Sequence, residues 1–268
     1  MAASDITTVT FEYEQASCTL DGYQEVLRDT DFTEVSLFRV TPAAAFAFAR
    51  FRRGISHIST NRNARTSSSP ARDEVRDGTI GEVSAEESPS RRRDSAEPAR
   101  EFSNAGSVQL ILKSFKDEEL FADEVQAYKM MERIQGTVVP EFYGSGSFCG
   151  RPTIAIEYIT GKDFYDHEND LASLPRLARA VEDCFRRISE CGVLQWDPRL
   201  DGMIVTDPSR LTVRMIDFSH VKFTWSPPDK WPLEKIFKIN AASSKYIMRN
   251  YGERMGWKLD DDPSTWQW

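Results

Sequence analysis

Two aspartates stand beside runs of β-forming apolar residues in the last third of the chain. Asp197 lies within residues 192–205, GVLQWDPRLDGMIV, just ahead of Met203-Ile204-Val205, and Asp217 follows residues 213–216 in VRMIDFS. A hairpin between Ile204 and Ile216, turning through Asp207-Pro208-Ser209, brings both carboxylates to one end of two paired strands. Such a pair suits a proton acceptor and a metal anchor in phosphate chemistry. Two loop aspartates capping separate turns would show the same local pattern. A second pair lies earlier. Lys113 sits near the end of VQLILKSF (108–115), a strand apolar enough to lie inside a sheet. A helix is expected over 118–135, stopped at Gly136, with Phe121, Glu124, Tyr128 and Met131 on one face. A carboxylate on an apolar face is costly unless paired, and Lys113 is the candidate partner for Glu124. The alternative puts Glu124 on the flank and lets Lys113 snorkel to water.

The elements that must position these residues can be read in order. ITTVTFEY (6–13) alternates like a half-buried strand, and FTEVSLFRV (32–40) is a second strand. Thr41-Pro42 resembles a helix start before Ala-rich residues 43–53, with Gly54 as the stop. From 55 to 103 Ser, Arg, Glu, Pro and Asp dominate, which is the composition of a disordered linker or insertion. Ser69-Pro70, Ser88-Pro89 and Arg92-Arg93-Asp94-Ser95 within it resemble phosphoacceptor contexts, or equally a solvated linker. PTIAIEYITG (152–161) reads as a buried strand ending in a glycine break. Residues 173–191 form an amphipathic helix ended by Gly192. Residues 231–256 are helical in bias, in two pieces around Ala241 to Ser244. The final stretch is acidic and carries tryptophans that could pack back or meet a partner.

Composition narrows the class. The formal charge of −8 argues against a broad nucleic-acid or anionic-membrane surface. The start of the chain has neither a basic segment nor a long apolar run, so no secretory signal and no membrane span are expected. Cys18, Cys149, Cys184 and Cys191 form no C-x-x-C pair, and the three histidines lack ligand spacing to them, which argues against a zinc site. Without glycosylation sequons, the expectation is an intracellular protein, cytoplasmic or nuclear.

The ordered set Lys113, Glu124, Asp197 and Asp217 resembles the motifs of the protein-kinase-like superfamily, and is most similar to small fungal kinase-like proteins whose loop reads like GVLHGDLRLDNILV. The resemblance covers about residues 107–220. It implies an α+β, two-lobed kinase-like fold with a shortened C-terminal lobe. Residues 1–54 would begin the small lobe, 104–160 would complete it, and 161–268 would form a reduced helical large lobe. It also implies ATP and Mg2+ as cofactors. Lys113, held by Glu124, would contact phosphates, and Asp197 would take the substrate proton. Asp217 would bind metal, with Asp201 as a possible substitute ligand. Glu157 and Ile159 would offer backbone groups to adenine, and Ile156 would guard the back of the pocket.

The sequence departs from that pattern at named positions. Gln195 replaces the loop histidine, Gly202 replaces the metal-binding Asn, and Asp217 opens Asp-Phe-Ser rather than Asp-Phe-Gly. No G-x-G-x-x-G precedes Lys113, and no Ala-Pro-Glu-like segment follows Asp217. Two classes follow: an ATP-dependent phosphotransferase, weakened or intact, and a non-catalytic nucleotide-binding or scaffolding module with a protein partner. A third, more remote reading is an unrelated α+β domain in which the motifs are coincidental. The missing Asn predicts weak nucleotide binding helped little by magnesium, and Gly202→Asn is expected to strengthen magnesium dependence.

Overall fold

The computed structural model describes residues 6–13, 16–41, 44–45, 47–49, 51–52, 108–164, 174–207, 209–226 and 230–256. The linker expected at 55–103 and the tryptophan-bearing end therefore lie outside the described residues.

Six antiparallel strands close into a barrel in the order β1-β2-β3-β4-β6-β5. They are β1 (Thr7–Tyr13), β2 (Ala16–Asp29), β3 (Thr33–Val40), β4 (Gln109–Phe115), β5 (Phe142–Phe148) and β6 (Arg151–Glu157). Alternation builds the interior: Val9 and Phe11 of β1, Cys18 and Leu20 of β2, and Leu110 and Leu112 of β4 are buried. Closure depends on β1 meeting β5, with Thr10 opposite Ser147 and Phe11 opposite Gly146. Glycine is required there. A Cβ at Gly146 would lie 2.3 Å from the Thr10 carbonyl, and one at Gly144, where φ is +138°, would lie 2.6 Å from that of Glu12.

This closed barrel overturns the expected two-lobed, kinase-like α+β fold with a shortened C-terminal lobe. Two strands produce the difference. β2 runs for 14 residues, yet alternates in burial only over its first half and is exposed from Glu25 to Asp29. The glycines of FYGSGSF conceal β5 from any apolar period.

Around the barrel lie the three α-helices that the described residues form in full. Asp117 caps α1 (Glu118–Met130), accepting from the Glu119 and Leu120 amides at 2.8 and 3.2 Å. A 3-10 turn, Glu132–Ile134, and Gly136 at φ +71° carry the chain out of it. Helix α2 (Leu174–Glu190) buries Leu177, Val181, Cys184, Phe185 and Ile188. Helix α3 (Leu233–Arg254) is continuous, in contrast to the two pieces expected. Its buried stripe, Ile236, Asn240, Ser244, Ile247, Met248 and Tyr251, contains two polar residues whose bonds are satisfied. Asn240 bonds Ser189, Val193 and Gln195, and Ser244 Oγ donates to the Ala241 carbonyl.

Short strands join these layers. β7 (Lys162–Asp163), β9 (Met203–Asp207) and β10 (Thr212–Met215) form one sheet, while β8 (Val193–Gln195) pairs with β11 (Val221–Phe223). The β9–β10 hairpin pairs Met203 with Met215, and Asp207 Oδ1 accepts from the Ser209 and Arg210 amides to shape its turn. One hydrophobic core runs from the barrel into the helices. Tyr128 of α1 stacks on Phe142 at 5.4 Å and meets Phe218 edge-on at 5.5 Å, tying the barrel to the segment after Asp217. No helix among the described residues is long and apolar enough to cross a membrane.

Candidate functional site

Lys113 is the centre of the site. On β4 it lies opposite Val35 and Ile154, and its side chain points into a place that is 7% exposed. Its Nζ donates to Glu124 Oε2 at 2.6 Å and to Asp217 Oδ1 at 2.7 Å. Two of the three ammonium donors are used, which leaves one for an incoming oxygen. Glu124 is fully buried because the period of α1 turns it inward with Val125, Ala127 and Tyr128. Its Oε1 makes no hydrogen bond of ordinary geometry, although the nearby Phe218 amide favours its charge.

The electrostatics follow from burial and the two carboxylates. Burial pushes the Glu124 carboxyl up to about 6 even against the opposing Lys113 charge. Burial also acts to raise Asp217, but the Lys113 charge and hydrogen bonds from Lys113 and Ser219 outweigh it. The Asp217 carboxyl is held far below the usual carboxylate range. For Lys113 burial disfavours the cation, and the Glu124 and Asp217 charges more than compensate, so its pKa is raised.

Asp217 is held in place by several contacts. Its φ is +67°, a left-handed conformation that costs a non-glycine residue energy. Gln195 Nε2 donates to the Asp217 carbonyl at 2.7 Å, and Ser219 Oγ donates to Oδ1 at 2.8 Å. Gln195 is itself anchored, its amide donating to Asn240 Oδ1 at 3.1 Å. A chain of bonds thus runs from α3 through β8 to the backbone of Asp217.

These residues open on a cleft of about 420 Å³, a volume within the range of small-molecule sites. Its lining joins Lys113, Glu124, Asp197, Asp201 and Asp217 with the apolar side chains of Val35, Ile111, Ile156 and Ile216. Arg28, Thr30 and Phe32, around the β2–β3 turn, also line it, as do Arg199 and His220. Asp197 is half exposed, and Arg199 Nε stands 3.6 Å from its Oδ2.

Glu157 and Ile159 do not line the cleft. The Glu157 amide donates to the Glu141 carbonyl, and its carboxylate clamps Arg214 of β10, with Oε1 2.9 Å from a guanidinium nitrogen. Arg214 is 8% exposed and also donates to the Val139 carbonyl at 2.8 Å. The Glu157 side chain therefore fastens the barrel to the hairpin that leads to Asp217. Ile159 is buried in the core.

The donor set does not fit magnesium. Asp217 Oδ1 already accepts from Lys113 and Ser219, and Oδ2 faces Arg199 at 3.5 Å. The Gly202 carbonyl accepts from the Ile216 amide at 2.8 Å. Asp201 lies 3.6 Å from both Arg28 and Arg199. Among the described residues no group of three His, Cys, Asp or Glu is arranged to hold a metal ion.

Sequence reasoning assigned no role to Arg28, Arg199, Arg214, Asn240 or the Ser219 hydroxyl. Arg199 had a visible signal, its place between Asp197 and Asp201 in DPRLD. Arg28 had none, lying on the exposed half of a strand without a period. No protein-family model matches the chain, and no curated protein matches it.

Proposed function

We propose that the cleft binds a nucleotide, with ATP as the natural candidate, and that the protein is a phosphotransferase of kinase-like chemistry in a weakened form. The observation that carries this reading is Lys113, buried between Glu124 and Asp217 with one donor to spare, in a cleft that also offers apolar walls. Val35, Ile111 and Ile156 suit the faces of a base, while Lys113, Arg28 and Arg199 suit phosphate oxygens. Asp197, half exposed at the same cleft, is the group that would accept a hydroxyl proton. Four carboxylates line the cleft against three permanent cations, so polyphosphate binds weakly and transfer is slow.

A second reading, a non-catalytic nucleotide-binding or scaffolding module, is favoured by the contact of Arg199 with Asp197, which competes with proton acceptance. Calorimetric titration with ATP, ADP and adenosine tests nucleotide binding, and transfer of labelled γ-phosphate separates the two readings. ATP is expected to bind, and Ile111→Trp, which fills the apolar wall, to abolish binding. No heat with any of the three nucleotides, with or without magnesium, would sink the proposal. Binding without transfer selects the module.

A further inference from the structure

Arg199 stands among three carboxylates. Its Nε is 3.6 Å from Asp197 Oδ2 and 3.6 Å from Asp201 Oδ1, and a terminal nitrogen is 3.5 Å from Asp217 Oδ2. Its backbone is placed by the 3-10 turn Leu200–Gly202, since the Gly202 amide donates to the Arg199 carbonyl at 3.2 Å. Arg28 adds a second positive charge on the outer side of Asp201, at 3.6 Å. A guanidinium stays charged at all relevant pH values and offers donors in several directions, so one side chain can serve carboxylates from different parts of a loop. Each contact is long and half exposed, hence weak singly. Their convergence on one cation is what matters.

We infer that Arg199 is a built-in counter-cation that neutralises Asp197, Asp201 and Asp217 together, so that the cleft works without a divalent metal. The inference rests on the nucleotide reading for its ligand. Its charge argument is independent of that reading. Magnesium holds its oxygen ligands at about 2.1 Å, and a guanidinium between the carboxylates repels it. Two of the three carboxylates would have to leave Arg199 before they could reach a metal, and Asp217 would also have to loosen from Lys113. Removing Arg199 leaves three adjacent carboxylates short of positive charge and frees them to bind a metal.

The test uses the full chain and two readouts. Manganese binding to nucleotide-free protein, followed by electron paramagnetic resonance, needs no assumption about nucleotide. The native chain and Arg199→Lys are expected to bind manganese weakly, and Arg199→Ala and Arg199→Gln about tenfold or more tightly. Binding of a fluorescent ATP analogue is the second readout. For the native chain it should change by less than about twofold between magnesium and a chelator, and for Arg199→Ala by about tenfold or more. Arg199 is half exposed, so the variants should fold, and circular dichroism checks that they do. Tight manganese binding by the native chain, or no gain in either alanine or glutamine variant, overturns the inference. A manganese gain with no ATP binding by any form supports Arg199 as counter-cation and refutes the nucleotide reading instead.

Discussion

Replacing Lys113 by methionine removes the ammonium while keeping an unbranched stem of similar length, so the effect isolates the charge. Glu124 is fully buried and Lys113 is 7% exposed, so the variant leaves a carboxylate in the core with no countercharge. Breaking a buried pair from one side costs about 3–5 kcal/mol. Asp217 adds little to that figure, because its side chain is 34% exposed and water can replace the lysine. Lys113→Met with Glu124→Gln removes both charges together and should recover about 2 kcal/mol or more of the loss, read as coupling in a double-mutant cycle.

The sign of the pH dependence is a sharper check. Glu124 has a folded-state pKa raised to about 6 against an ordinary 4.5, and losing Lys113 raises it further. Between those values the folded state holds the proton that the unfolded state releases, so stability falls as pH rises through the window. In Lys113→Met the penalty grows by up to about 1.4 kcal/mol per pH unit until the raised folded value is passed. Urea unfolding midpoints between about pH 5 and pH 8 measure it, with m-values compared to confirm a common transition. A loss under about 1 kcal/mol, with no change across that range, would refute the claim that Glu124 is a buried charge held by Lys113.

Other perturbations probe the surrounding frame. Gly146→Ala should cost about 1–3 kcal/mol and raise hydrogen exchange along β1, because its Cβ would meet the Thr10 carbonyl at 2.3 Å; unchanged exchange would contradict a closed barrel. Asn240→Ala should cost about 2–4 kcal/mol by chemical unfolding, since it strips partners from Ser189, Val193 and the Gln195 amide in a buried place. The native chain should lose stability as pH falls below the ordinary Asp value of 3.8 towards the lower folded value of Asp217, and Asp217→Asn should flatten that acid limb. Gly202→Asn alone should leave ATP binding indifferent to magnesium by calorimetry, because the carbonyl at 202 bonds Ile216 and Asp217 remains engaged.

Part of this arrangement was local enough to read from the chain. The period of α1 places Glu124 on its apolar face whatever the fold, and burial of a carboxylate demands a cation, which strand 108–115 supplies in Lys113. The β9–β10 hairpin follows from two apolar runs around Asp207-Pro208-Ser209. These features depend on residues close in sequence, so their pattern survives without tertiary knowledge. Closure of the barrel is of another kind. It requires β1 to meet β5 more than 130 residues later, and the Gly144 and Gly146 that permit the approach weaken the strand signal in their own segment. Helix α3 looked broken because its apolar period is weak around Ala241 to Ser244, and only contact with β8 and α2 shows the buried Asn240 beside them to be satisfied. The clamp between the Glu157 carboxylate and Arg214 likewise appears only once folding lays the two side by side. Arg199 was in plain view between two aspartates, but its approach to Asp217 depends on how the loop and hairpin pack. Local periodicity determined which residues must be buried and paired; long-range contact between strands, helices and loops decided with whom, because those partners are brought together only by folding.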